Sequence, residues 1–153
     1  MLLIIISISD IRYYIIPDEV LIVGAILILI EMFINTIIND VGFFKGVLIP
    51  ILNGAGSFAI LYLFKVFGDL VFQKESLGGG DIKLMFFIGL TLGFDMSIVT
   101  IFIASFIALP LSVISLIKDD NNVLPFGPYL SVAATIIMLS GLNLNMILDF
   151  FIK

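Results

Sequence analysis

Two aspartates carry the chemistry this sequence can offer. Asp81 closes the run Ser76-Leu77-Gly78-Gly79-Gly80-Asp81-Ile82-Lys83-Leu84 at the mouth of an apolar segment, and Asp10 stands inside another apolar segment far upstream. An ionisable side chain beside hydrocarbon is costly to bury, so each is a functional-site candidate and each names the other as partner. Two neighbouring carboxylates in a low dielectric cannot both ionise cheaply, and such a pair holds one shared proton. One member then takes a proton from water while the other, protonated, polarises the carbonyl under attack. This is a route to amide hydrolysis that uses no cysteine, histidine or metal.

The residue inventory narrows the chemistry to that kind. The chain has 0 Cys and 0 His, which removes thiolate and imidazole nucleophiles, Ser-His and Cys-His pairs, and thiolate or imidazole metal sites. Carboxylates, lysines, tyrosines and hydroxyls remain, and neither a cofactor nor a metal is expected. A formal charge of −5 argues against a basic surface for nucleic acid. Gly78, Gly79 and Gly80 permit positive φ and close backbone approach, so the run is expected to lie tight against a neighbouring chain just ahead of a helix beginning near Asp81. A plain helix-end carboxylate is the alternative for Asp81, since an acid near a helix N-terminus is stabilising anyway.

The elements that position these residues must be membrane helices. A hydrophobic content of 61%, a mean hydropathy of +1.30 and only 12% charged residues exclude an ordinary soluble domain. A span takes roughly 20 apolar residues, so the chain has room for about six with very short connections. The expected class is an all-α polytopic integral membrane protein in the lipid bilayer. The first span covers 1–16 and stops before Pro17, which disfavours helix in the residue preceding it. The second runs from Pro17 to about 38, with Asp18 and Glu19 where the helix dipole favours acids; Glu31 reads as interfacial snorkelling. The third covers about 43–67 and carries Pro50 and the small-residue patch Asn53-Gly54-Ala55-Gly56-Ser57, which suits close helix packing. A polar connection over 68–80 leads to a short fourth span at 82–94, a fifth at about 96–117, a charged loop at 118–122 and a last span reaching about 151.

Three stretches, taken together, resemble the type IV prepilin peptidases, including the preflagellin peptidases. They are Asp10-Ile11-Arg12-Tyr13-Tyr14-Ile15-Ile16-Pro17-Asp18, Leu77-Gly78-Gly79-Gly80-Asp81-Ile82-Lys83-Leu84 and Leu124-Pro125-Phe126-Gly127-Pro128-Tyr129-Leu130, in the family's order and anchoring nearly the whole chain. The resemblance implies a six-span aspartic endopeptidase of the cell membrane that removes short basic leaders from pilin-like or flagellin-like precursors at the cytoplasmic face. It puts Asp10 and Asp81 at the catalytic positions and Gly78 and Gly80 at the glycines of the GxGD motif. Gly79, Lys83 and Glu75 join them as expected substrate-binding residues, with snorkelling the plain alternative for Lys83. Pro125 to Pro128 is expected to shape the cleft. The larger bacterial members carry a cytoplasmic region with paired cysteines associated with N-methylation. The expectation here is a single membrane-embedded peptidase domain over 1–153, with no soluble or methyltransferase domain.

Two other readings compete. Presenilin-like proteases also use a GxGD aspartate, but pair it with a Tyr-Asp motif, whereas Asp10 follows Ser9. A small membrane carrier or assembly subunit would use Asp10, Asp81 and Lys83 as an ion relay. Two like charges on separate helices need not be held at working distance before a substrate binds.

Basic residues orient the bundle. With the N-terminus outside, the cytoplasmic ends collect Arg12, Lys65, Lys74, Lys83 and Lys118, leaving Lys45 and Lys153 of the 7 outside. This orientation brings both aspartates to the cytoplasmic face. Because the chain has no native cysteine, single cysteines report without background. Those at Glu75 and Asn121 should label only from the cytoplasm and one at Asp40 only from outside; the reverse pattern would overturn the orientation.

Overall fold

The structure, a computed structural model, describes residues 2–13, 16–40, 42–73, 77–117, 125–142, 144, 146 and 149. Among these the chain forms α1 (Leu2–Tyr13), α2 (Asp18–Ile38), α3 (Ile49–Phe72), α4 (Gly79–Leu92), α5 (Phe94–Ile117) and α6 (Gly127–Ser140), with no strand. It is an all-α polytopic membrane protein. Asp18–Ile38 and Phe44–Val71 are long and apolar enough to cross a bilayer, with hydropathies of 2.5 and 1.9. Their outer faces turn large side chains such as Ile26, Ile30, Phe33, Leu63 and Phe67 outward, as a lipid-facing surface requires.

Helix α4 is the centre. It packs against α2, α3, α5 and α6, most extensively against α3, while α1 lies against α6 and α2. Its sequence is apolar almost all round, which suits a helix enclosed by others. Leu84, Met85, Ile88 and Leu90 are all at most 2% exposed. The small-residue patch of α3 serves the α3–α4 contact as expected: a methyl on Gly54 would stand 2.9 Å from the Phe86 carbonyl. A methyl on Gly89 would overlap the Ser57 hydroxyl and stand 2.6 Å from Ser57 Cβ. The Ser57 and Ser97 hydroxyls meet at 2.6 Å, one donating to the other, and the accepting hydroxyl is free to donate to the carbonyl it faces in its own helix, Asn53 for Ser57 or Phe94 for Ser97. This clasp ties α3 to α5 beside α4 at the end of the bundle remote from Asp81.

Several boundaries differ from the sequence expectation. Pro50, near the start of α3, lacks the N–H that would reach the Gly46 carbonyl, and the chain just before it widens into a π-helical turn, Phe44–Leu48. Gly68 does not end α3, since one glycine inside a helix costs only about 1 kcal/mol. The helix continues to Phe72 and stops where Gln73 turns left-handed at φ 52, so 68–72 is helix and not connecting loop. Helix α4 starts at Gly79, ahead of Asp81. Helix α6 ends at Ser140, because Gly141 takes φ 60, the conformation that closes helices; of the expected continuation to about 151, Leu144, Met146 and Asp149 are helical and the rest lies largely outside the described residues.

The tight α3–α4 approach generates a stability prediction. Gly89→Ala should lower stability by about 1–3 kcal/mol through overpacking, read from reversible unfolding in mixed micelles. Gly42→Ala, where a methyl meets nothing within 4 Å, should stay within about 0.5 kcal/mol. Equal stability of the two variants would refute the close approach.

Candidate active site

Three helix ends converge on one point. Asp10 lies in the last turn of α1, Asp81 in the first turn of α4, and Gly127 is the first residue of α6. Asp10 is 6% exposed and Asp81 5%, so both carboxylates are enclosed by protein. A methyl built on Gly127 would stand 2.5 Å from Asp10 Oδ2 and 3.1 Å from Asp81 Oδ1. The two oxygens therefore flank a single point and lie no farther apart than those two distances together.

Backbone donors surround the pair. The Gly127 N–H donates to both carboxylates, and the Gly78 N–H donates to Asp81. The second bond follows from local sequence: Gly78 is the N-cap of α4 and Asp81 is three residues on, where an acid reaches back to the N-cap amide. The α4 and α6 N-termini both place positive dipole ends at the carboxylates. Lys65 of α3 is near enough to Asp81 to interact electrostatically, and its Nζ donates to the Leu77 carbonyl at 2.9 Å. That bond moors the segment leading into α4. Asp10 Oδ2 is buried with no hydrogen-bond partner, an unsatisfied acceptor of the kind that calls for a functional explanation.

The remaining expected site residues divide. Gly78, Gly79 and Gly80 do not use positive φ: the positive-φ glycines among the described residues are Gly93 and Gly141. Close approach is the requirement that holds, and at Gly80, where a methyl would stand 2.9 Å from Ile16 Cβ. At Gly78 it would meet Asp81 Oδ2 at 3.4 Å, an ordinary contact, and at Gly79 nothing within 4 Å. Glu75 lies outside the described residues.

Lys83 sits away from the pair. Its Nζ bonds the two Asp18 oxygens at 2.7 and 2.6 Å, both side chains being about half exposed. Residues two apart on a helix point to opposite sides, so Lys83 cannot face what Asp81 faces. With Asp18, Leu21, Phe58 and Phe86 it lines an apolar groove of about 510 Å³ between α2, α3 and α4, whose lining includes neither Asp10 nor Asp81. An ion relay through Asp10, Asp81 and Lys83 is therefore not favoured.

Sequence reasoning did not single out Ile16, Lys65 or the Gly127 amide. Ile16 is buried against both Gly80 and Gly127, and its place beside Pro17 marks only the end of a span. Lys65 had one available signal, a cation inside an apolar run on the same membrane side as Asp81.

Residues 1–113 match the type IV leader peptidase family, a segment that contains both aspartates but not Gly127. The chain is 34% identical over 140 residues to a prepilin leader peptidase/N-methyltransferase of Pseudomonas aeruginosa, covering 88% of this chain and 45% of that protein. Relatives of the same description in Stutzerimonas stutzeri and Legionella pneumophila are 30% and 28% identical, covering 88% and 86% of this chain and 45% of each relative. The chain thus spans less than half the length of these curated relatives. No solved structure matches it.

The geometry at Gly80 predicts a compensation. Gly80→Ala should cost about 1–3 kcal/mol by overpacking against Ile16, and adding Ile16→Val should recover part of that loss, because contacting residues couple. Gly79→Ala should be close to neutral in stability. Strict additivity of the Gly80 and Ile16 changes in unfolding measurements would refute the contact.

Proposed function

The chain belongs to the type IV leader peptidase family, and from that premise we propose that it is an aspartic endopeptidase whose catalytic pair is Asp10 and Asp81. The observation that carries the proposal is the meeting of two buried carboxylates from separate helices at one point, with an oxygen of Asp10 unpartnered. An acid pair enclosed in a membrane bundle is a costly arrangement with little structural return.

The chemistry needs one proton on the pair. The ionised member removes a proton from a water molecule as its oxygen bonds to the scissile carbonyl carbon. The protonated member gives its proton to the carbonyl oxygen, producing a neutral tetrahedral diol. Collapse re-forms the carbonyl, breaks the C–N bond and delivers a proton to the departing amine, and the pair returns to its starting protonation.

The substrate class follows the family. The curated relatives are described as prepilin leader peptidases, and the proposed substrate is a pilin-like or flagellin-like precursor with a basic leader followed by an apolar segment. The excess of lysine and arginine at the ends carrying Asp10 and Asp81 supports a site on the cytoplasmic face. Glu75, and the Gly78 to Gly80 entry to α4, lie next to this site in sequence and are proposed to flank the leader, where an acid would complement its positive charge.

Asp10→Asn and Asp81→Asn should each abolish cleavage of a reconstituted precursor, read as the mass of its new N-terminus, while leaving insertion and folding intact, because a catalytic pair acts as a unit. Asp18→Asn should keep most of the activity, since its bridge to Lys83 is exposed. Near-parental turnover in either asparagine variant would remove the pair from the mechanism.

A further inference from the structure

Helix α6 starts with few free donors. Pro128, its second residue, has no N–H. The amides of Tyr129 and Leu130 both donate to the Phe126 carbonyl at 3.1 Å. Of these first four residues, Gly127 alone offers its amide to the carboxylates, and it donates to both. The same residue is closed in on the side where a side chain would grow: Asp10 Oδ2 at 2.5 Å, Ile16 Cδ1 at 3.0 Å and Asp81 Oδ1 at 3.1 Å from a methyl position. Its φ is not positive, so space and not backbone conformation calls for glycine here.

We propose that Gly127 is the positioning residue of the carboxylate pair, its shared backbone N–H and bare Cα setting the separation of Asp10 and Asp81. One N–H accepted by two carboxylates ties oxygens from different helices to the same atom, and so to each other. Hydrogen bonds from an amide to a charged oxygen are stronger than neutral ones. The tie leaves Asp10 Oδ2 without a hydrogen-bond partner, so orientation is obtained with one acceptor of the pair unspent. Pro128 supports this by offering no competing donor, and the Phe126 carbonyl by engaging the next two. The catalytic consequence rests on the peptidase reading; the positioning itself is a property of the resting protein.

Two variants separate the amide from the methyl. Gly127→glycolate, introduced by ribosomal incorporation of the hydroxy acid, exchanges the N–H for oxygen and adds no atom beyond the backbone. Gly127→Ala keeps the N–H and adds the methyl. Each should lower single-turnover cleavage at saturating precursor at least about tenfold, in the range of losing a hydrogen bond to a charged group. The precursor concentration giving half the maximal rate should change less than about twofold, and Gly42→Ala should match the parent. Infrared spectra of the resting protein in lipid bilayers read the pair without substrate: the protonated-carboxyl band identified by its change in Asp10→Asn and Asp81→Asn should shift in Gly127→glycolate. An unshifted band, or parental cleavage by the glycolate variant, overturns the positioning role. A band that shifts in Gly127→glycolate, when the parent protein itself cleaves no precursor, leaves the positioning role standing and refutes the peptidase reading instead.

Discussion

The constraint on which the rest of this fold depends is the enclosure of two carboxylates at one point inside an apolar bundle. Water normally solvates such groups, and here protein dipoles must replace it. The substitution is made with helix ends: Asp81 accepts from the Gly78 amide at the start of α4, and both acids accept from the Gly127 amide at the start of α6. Helix N-termini are suited to this because their first amides have no partner within the helix. That requirement explains why α4 and α6 both begin at the site while α1 ends there.

A second consequence is the unequal construction of the two ends of the bundle. Away from Asp81, α3, α4 and α5 interlock through Gly89 and the Ser57–Ser97 hydroxyl pair. Small residues and shared hydroxyls are the cohesive contacts available when lipid removes the usual hydrophobic drive between helices. At the carboxylate end the contacts include single amides, the Lys65 mooring on the Leu77 carbonyl and the side chain of Ile16, beside a core of Ile82 and Leu130. Helix α4 is thus anchored at its far end and presents its first turn to the site.

The sequence was legible where cost is local. An aspartate in an apolar run is expensive at any position, so Asp10 and Asp81 stood out without coordinates, and the helical class followed from hydropathy alone. The glycine run was readable as a close approach but not in its cause: the permissive φ suggested by three glycines is unused, and crowding by Ile16, distant in sequence from Gly80, supplies the reason. Boundaries failed where one residue's effect depends on its surroundings. Gly68 is passed over inside α3 while Gly141 closes α6, and composition does not distinguish the two. The Gly127 amide was hidden for a different reason, since every non-proline residue carries an amide and only tertiary placement distinguishes one from another.

Under the proposed mechanism the placement of the two lysines Lys65 and Lys83 matters, because the pair must keep one proton. A positive charge in direct contact favours the ionised form of an acid, and a pair meant to keep one proton is poorly served by a lysine at its side. Lys83 is two residues from Asp81, yet the helical turn sends it outward to Asp18. An exposed bridge of that kind adds little stability, so its larger effect is to keep an ammonium occupied away from the acids. Lys65 does reach the neighbourhood of Asp81, but part of its hydrogen-bonding capacity is taken by the Leu77 carbonyl. The amide dipoles of Gly78 and Gly127 support the carboxylates without supplying a whole opposing charge, which suits the proposed sharing of one proton between the two acids.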